Sequence, residues 1–245
     1  MIILDSYLTF IANGVYMQTL NAHTINPYIR TAIRSVLKAG TTIKQRIIFD
    51  YELLYVEKGE FLLRYDGSDY TCKEGQFLLI HPGISHSFHG IEQDLYQPHI
   101  HFDLIYTPNS IKTKICFQDK SQLSSNELLL IQKDLLVSDS PAPFVTFSNM
   151  EQTKTLFYRV IDQSSKNAFL SAKAALVELI GILITDNFLH YLTDEPQNAY
   201  DISQQIKDFV DSAHGSERVG FSSIYSFSRS FKKKYGFSPS KVNKT

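Results

Sequence analysis

The sequence predicts an α+β chain: a β-rich barrel or sandwich, then a group of helices, then a small all-α segment at the C-terminal end. Three observations predict this order. From residue 46 to 106, short runs rich in Ile, Leu, Val, Phe and Tyr alternate with glycine-containing breaks, the pattern of many short strands. Between residues 126 and 192 the apolar residues take up helical spacing. Residues 217–245 carry seven Lys/Arg against one acid, a net charge of +6, which leaves −7 on the rest of a chain whose formal net charge is −1. That asymmetry points to a C-terminal segment that faces nucleic acid.

Taken in order, residues 1–40 are mixed and weakly patterned. Strands are expected at 47–57, 60–65, 68–72, 76–80, 85–89 and 96–106. Lys58-Gly59, Asp66-Gly67, Glu74-Gly75 and His81-Pro82-Gly83 occupy the breaks, and Asp-Gly between two strand-length runs is a hairpin signal. A helix is expected at 126–137, with Leu128, Leu129, Ile131, Leu135 and Leu136 as its apolar residues. The proline-containing run 138–143 ends it. A second helix is expected at 149–163, with Ser148 as N-cap and Glu151 three residues on, the spacing of a capping box. The third and longest, 166–192, carries a broad stripe of Phe169, Ala172, Leu176, Leu179, Ile180, Leu183 and Ile184. Residues 193–198, T-D-E-P-Q-N, read as a linker.

Composition narrows the function classes. The 245 residues are 43% hydrophobic and 20% charged, enough for one large or two smaller cores and far from a disordered composition. Two cysteines, Cys72 and Cys116, lack metal-type spacing, so a reduced, cytoplasmic protein is expected rather than a disulfide scaffold. The start, M-I-I-L-D-S-Y, has no basic region before its apolar residues and does not read as a signal peptide. The most apolar run, 174–184, contains Glu178 and is too short to cross a membrane. There is no G-x-S-x-G, no glycine-rich phosphate loop and no H-E-x-x-H. Asp50 and Glu52 lie close in sequence, which by itself does not mark acid–base chemistry. No enzyme activity and no cofactor are expected.

The C-terminal segment holds one well-formed helix pattern. Ser222 or Ser223 can cap it after the turn at Gly220. Ile224, Phe227, Ser228 and Phe231 form one largely apolar face, and Gly236 and Pro239 stop it. Tyr225, Ser226, Arg229, Lys232, Lys233 and Lys234 lie on the other faces, an arrangement suited to a DNA major groove.

This run, V-G-F-S-S followed by F-S-R-S-F-K-K-K-Y-G-F-S-P-S, resembles the second helix-turn-helix of AraC-family transcription regulators, with Gly220, Phe221, Phe227, Arg229, Phe231, Lys232, Gly236 and Pro239 in register. The resemblance implies binding to double-stranded DNA, with Ser223, Tyr225, Ser226, Arg229, Lys232 and Lys233 as the contacting residues. It also implies a homodimer formed through the helices that follow the barrel.

A second resemblance lies upstream. Y-E-L-L-Y-V-E-K-G-E-F and K-E-G-Q-F-L-L-I-H-P-G-I-S-H-S-F are similar to the cupin-type jelly roll at the N-terminus of AraC-family proteins. Pro82, Gly83 and His86 follow the P-G-x-x-H pattern of the second cupin motif. In that family the barrel interior senses a small molecule, often a sugar. The residues expected to bind it are Tyr51, His86, His99 and His101; His99 and His101 stand two apart on one strand and so share a face. Many cupin enzymes bind metal through His and a carboxylate, but the H-x-H of the first motif is replaced here by Asp50-Tyr51-Glu52, so no metal site is expected.

The resulting domain reading is a cupin-like sensor at 1–125, dimerisation helices at 126–192, a linker at 193–200 and a partial AraC-type helix-turn-helix domain at 201–245. The last is short. The family has two helix-turn-helix units in seven helices, whereas the 45 residues from Asp201 to Thr245 hold roughly three helices of ordinary length. The expected function is a ligand-responsive DNA-binding transcription regulator. The alternative is a sensor and dimerisation module with impaired DNA binding.

Overall fold

A computed structural model describes residues 8–10, 16–18, 20–136, 141–188 and 192–193. The expected linker beyond 193 and the expected helix-turn-helix lie outside the described residues.

The expected alternation of strands and glycine turns gives two antiparallel sheets. Their strands are β1 (Tyr28–Ile33), β2 (Ile43–Arg46), β3 (Tyr51–Tyr55), β4 (Glu60–Tyr65), β5 (Ser68–Lys73), β6 (Phe77–Ile80), β7 (His86–His89), β8 (His99–Asp103) and β9 (Phe144–Val145). One sheet has five strands in the order β9-β6-β3-β8-β1; the other has four in the order β2-β7-β4-β5. Such facing antiparallel sheets with long crossovers are cupin-like and compatible with a jelly roll. The Asp66-Gly67 signal is a two-residue hairpin joining β4 to β5: both residues have positive φ, 47° and 82°, as a type I′ turn requires.

The five-stranded sheet is buried on both faces, which is why its strands read as nearly continuous apolar runs. Along β3 the side chains alternate. Tyr51, Leu53 and Tyr55 join one core cluster, and Leu54, with Val56 just beyond the strand, joins the other. Strand β6 does the same, with Phe77 and Leu79 on the first side and Leu78 and Ile80 on the second. The second side meets Phe61, Leu63, Cys72 and Phe88 of the four-stranded sheet and forms the barrel interior. The first side meets the helices.

Those helices are α1 (Ser125–Leu128), α2 (Met150–Ser165) and α3 (Phe169–Asn187). The long helices α2 and α3 pack on the sheet through Leu156, Phe157, Val160 and Ile161 on α2 and Leu176, Leu179, Ile180, Leu183 and Ile184 on α3. Most of the expected α3 stripe is therefore core. Leu183 is fully buried, whereas Phe169, the first stripe residue, is 67% exposed. The N-cap of α2 is Asn149, whose side chain accepts from the Gln152 N–H; Ser148 instead bonds Asp186 of α3.

The helix expected at 126–137 is a correction. Only one turn forms, closed by a capping box between Ser124 and Glu127. Beyond it the backbone donors are taken by the barrel: Gln132 N–H bonds the Phe49 carbonyl, and Leu135 and Leu136 N–H both reach the Tyr51 hydroxyl. These tertiary bonds outcompete a helix whose propensity alone is weak. Strand β1 was not expected at all from the weak pattern of residues 1–40. Strand β9 returns to close the edge of β6, with Phe77 opposite Val145. No helix among the described residues is long and apolar enough to cross a membrane.

Candidate functional site

One end of the barrel interior is polar, and strand register explains why. On β3 and β8 Glu52 lies directly opposite His101, and His99 is two residues along β8 on the same face. From the facing sheet, Arg46 on β2 pairs with His86 on β7. Five polar side chains thus converge from two sheets. Phe117 closes over them, its ring 4.6 Å from the Arg46 guanidinium and 5.9 Å from the His101 ring.

Glu52 is the centre of the group. It is 1% exposed, and its Oε2 has no hydrogen-bond partner among the described residues. Oε1 lies 3.8 Å from His101 Nε2 and 3.9 Å from His99 Nδ1, and Oε2 lies 3.9 Å from an Arg46 nitrogen. All three separations exceed hydrogen-bond length. A donor atom from each of Glu52, His99 and His101 lies within 4.8 Å of the other two.

The imidazoles differ in what they have free. His86 is committed at both nitrogens: Nδ1 bonds the Ile84 carbonyl at 3.0 Å, and Nε2 accepts from Arg46 Nε at 3.1 Å. His99 Nδ1 bonds the Gln97 carbonyl. His101 turns Nδ1 to Asp50 Oδ1 at 3.3 Å, which leaves Nε2 facing Glu52. Asp50 is fully buried and shares Arg30 of β1 with Asp103 of β8; Arg30 binds Asp103 through two nitrogens and also the Thr113 carbonyl.

Charge follows this layout. Burial alone would raise the Glu52 carboxyl, but the basic groups facing it, His101 first and then His99, Arg46 and His86, hold it down to about 2. Burial lowers His86 to about 4 and also lowers His99, so both imidazoles are neutral at pH 7. Burial works against the charged form of His101 too, yet Glu52 and the Asp50 hydrogen bond raise it above the ordinary histidine value. The site therefore sets a carboxylate held far down against Arg46 and against a histidine held above its ordinary value.

Of the four residues expected to bind a ligand, the structure brings His86, His99 and His101 together around Glu52. It places Tyr51 on the other face of β3. The Tyr51 hydroxyl donates to Asp134 Oδ1 at 2.8 Å and accepts from the Leu135 N–H at 2.7 Å, and Asp134 Oδ2 lies 2.8 Å from His81 Nδ1. Tyr51 thus fastens the segment after α1 onto the barrel. Arg46, Glu52, Asp50 and Arg30 were not singled out as site residues. The two-residue spacing that united His99 with His101 also unites Asp50 with Glu52, and would have pointed to the latter pair. A hollow of about 250 Å³ beside Gln45, Arg64 and Ser87 reaches His86, and a cleft of about 370 Å³ borders Arg30, Thr107, Ser110 and Leu130.

Comparison with known proteins adds one assignment. Residues 41–112 match the family model of the AraC-like ligand binding domain. The AraC-like stretch contains Arg46, Asp50, Glu52, His86, His99 and His101; Arg30 and Phe117 fall outside it. No match is found among curated proteins. Among solved structures the chain is similar to procruciferin, an 11S globulin from Brassica napus (20% identity, TM-score 0.27, 30% of this chain and 22% of that one). It is also similar to a salicylate 1,2-dioxygenase from Pseudaminobacter salicylatoxidans (16% identity, TM-score 0.26, 29% of this chain and 25% of that one). A third is oxalate decarboxylase from Bacillus subtilis (17% identity, TM-score 0.28, 43% of this chain and 29% of that one). In each case the match spans less than a third of the solved chain.

Proposed function

We propose that the chain is a small-molecule sensor whose effector binds at the polar end of the barrel, against Glu52, His99, His101, His86 and Arg46. The observation that carries this reading is the Glu52 carboxylate. It is buried and ionised, and the basic groups around it stand at 3.8–3.9 Å, each just beyond hydrogen-bond reach. A buried charge without hydrogen bonds is costly, and a hydroxyl-bearing ligand inserted among these groups would satisfy both sides. The match of residues 41–112 to a ligand binding domain supports the same reading, and supports binding rather than catalysis. The effector class is a sugar or another small polar metabolite.

A thermal-shift screen of sugars and small polar metabolites tests it. A ligand present at 100 times its Kd stabilises by about 2.7 kcal/mol. Glu52→Gln keeps the shape of the side chain and should remove the shift. A broad panel that never moves Tm, or a full shift retained by Glu52→Gln, would overturn the reading.

The wider proposal is a cytoplasmic, AraC-type transcription regulator that binds double-stranded DNA as a homodimer. It rests on the resemblance of residues 217–240, with Ser223, Tyr225, Ser226, Arg229, Lys232 and Lys233 as the contacting residues. The shortness of the segment after Asp201 favours its alternative, a sensor and dimerisation module with weakened DNA binding. A dimer through α3 has to use residues other than Leu183, which packs inside this chain.

A further inference from the structure

We propose that Glu52, His99 and His101 bind a divalent transition-metal ion, and that the ion holds the effector in the barrel. The second clause rests on the sensor reading; the first does not.

The geometry is that of three ligands around one centre. Cross-strand register puts Glu52 and His101 face to face, and one donor from each of the three side chains lies within 4.8 Å of the others. The 3.8 Å between Glu52 Oε1 and His101 Nε2 is too long for a hydrogen bond. It suits two donors with an ion between them, since ligands about 2.1 Å from an ion can be at most about 4.2 Å apart. Oε1 faces His101 Nε2 while Oε2 faces Arg46, so one carboxylate can serve the ion with one oxygen and the guanidinium with the other; the Gln97 carbonyl holds His99 Nδ1, which leaves Nε2 as the His99 ligand atom.

The surrounding shell fits too. The hydrogen bond from His101 Nδ1 to Asp50 fixes a proton on that nitrogen and leaves Nε2, which faces Glu52, to take an ion in place of a proton. A carboxylate behind a histidine is the usual support for a metal ligand, and Arg30 in turn holds Asp50. Glu52 is buried, and neither of its oxygens comes within hydrogen-bond length of His99, His101 or Arg46, so the carboxylate has bonding capacity that these groups leave unused. His86, the residue that the cupin pattern put forward, is excluded because both of its nitrogens are already bonded. The two histidine donors come instead from β8, and the third, Glu52, from the β3 run that stands where the first motif has its H-x-H.

Two imidazoles and one carboxylate favour zinc, cobalt, nickel or ferrous iron over calcium or magnesium. Three protein ligands leave at least one coordination position open. Arg46 lies beside Glu52 and Phe117 beside His101, so the class of effector is a small oxygen-donor anion, such as a hydroxy acid, that can bind the ion and pair with Arg46.

The test uses the tag-free full chain stripped with a chelator. Zinc, cobalt, nickel and magnesium chlorides are titrated by calorimetry, and bound metal is counted by mass spectrometry. One transition-metal ion per chain is expected, with cobalt giving a ligand-field spectrum in the visible and magnesium not competing. Glu52→Gln and His101→Gln should each weaken binding at least 100-fold, and Asp50→Asn by about 10–100-fold. His86→Gln should stay within about threefold of the parent. Metal-free Tm values, compared across the variants, separate lost ligands from lost fold. Failure of the stripped parent to take up any ion at millimolar concentration, or binding unchanged in the His99→Gln, His101→Gln double variant, would overturn the metal site. An effector that shifts Tm equally with and without metal would overturn only the claim that the ion holds it, and would leave the sensor reading standing.

Discussion

Glu52 and His101 stand directly across from one another on β3 and β8, and His101 divides its ring between two carboxylates: Nδ1 bonds Asp50 and Nε2 faces Glu52. The pair joins the two halves of a buried network, Arg30–Asp50–Asp103 on one side and Arg46–His86 on the other. Burying so many charges is stable only while each keeps its partner. His101→Ala should therefore destabilise the fold by about 3–5 kcal/mol, the cost of breaking a buried pair, measured by urea unfolding. An effect below about 1 kcal/mol would mean that the network is solvated.

Tyr51→Phe removes one hydroxyl that serves Asp134 and the Leu135 and Leu136 N–H groups. Loss of about 1–3 kcal/mol is expected, because these groups are left short of a partner. Ligand and metal binding inside the barrel should be unchanged, since the ring packs on the helix side of β3. Calorimetry on the variant checks both halves.

Acid should loosen the same contact. Burial alone would raise the Asp134 carboxyl, but the hydrogen bonds from His81 and Tyr51 outweigh it and hold it below the ordinary aspartate value. A carboxyl lowered by folding contributes stability that is complete above its unfolded pKa, about 3.9, and is lost as pH falls through the lower folded value. Stability measured from pH 6 to pH 2.5 should fall less steeply below pH 4 in Asp134→Asn than in the parent. Identical slopes would refute the assignment.

The two faces of α3 should respond in opposite ways. Leu183→Ala removes a side chain buried against α2 and the sheet and should cost about 2–5 kcal/mol. Leu170 is 83% exposed, so Leu170→Ser should change stability by no more than about 0.5 kcal/mol. Sedimentation of the parent and of Leu170→Ser then reports on self-association without the complication of unfolding.

DNA binding, if the proposed regulator reading holds, should be weak and steeply salt-dependent. A single guanine reader, the role that the family resemblance gives Arg229, would supply about 1–3 kcal/mol of base discrimination, whereas specific binding exceeds non-specific binding by about 4–10 kcal/mol. Arg229→Ala should flatten any sequence preference, and Lys233→Ala should weaken all duplexes alike. Titrations at two salt concentrations decide; nanomolar selective binding at physiological salt would show the segment to be a complete reader.

How much of this was legible depends on where each residue's partner sits. The hairpin at Asp66-Gly67 and the strands around it were readable because their signals are local: positive-φ turn residues and period-two alternation. Strand β1 was not, because its side chains are mostly half-buried and Arg30 sits in its middle, held by acids far away in sequence. The helix expected at 126–137 failed because hydrogen bonds to Phe49 and Tyr51 take its backbone donors. Within the site, His99 and His101 announced themselves by spacing on one strand. Glu52 shares that two-residue spacing with Asp50, but two nearby acids are common, and the pair gains meaning only from the Arg46 and His86 that the opposite sheet brings to Glu52 and the Arg30 that β1 brings to Asp50.

The return of β9 to the edge of β6 has a consequence for synthesis. Because Phe77 pairs with Val145, the five-stranded sheet stays unfinished until the ribosome has released residues that follow the whole barrel sequence. Pairings so distant along the chain fold slowly, and an open sheet edge is a template for pairing with other chains. The nascent protein thus carries the β6 edge uncovered through much of its translation. A fragment ending before Phe144 would keep that edge permanently and should need a chaperone, or a solubilising fusion, to stay out of aggregates.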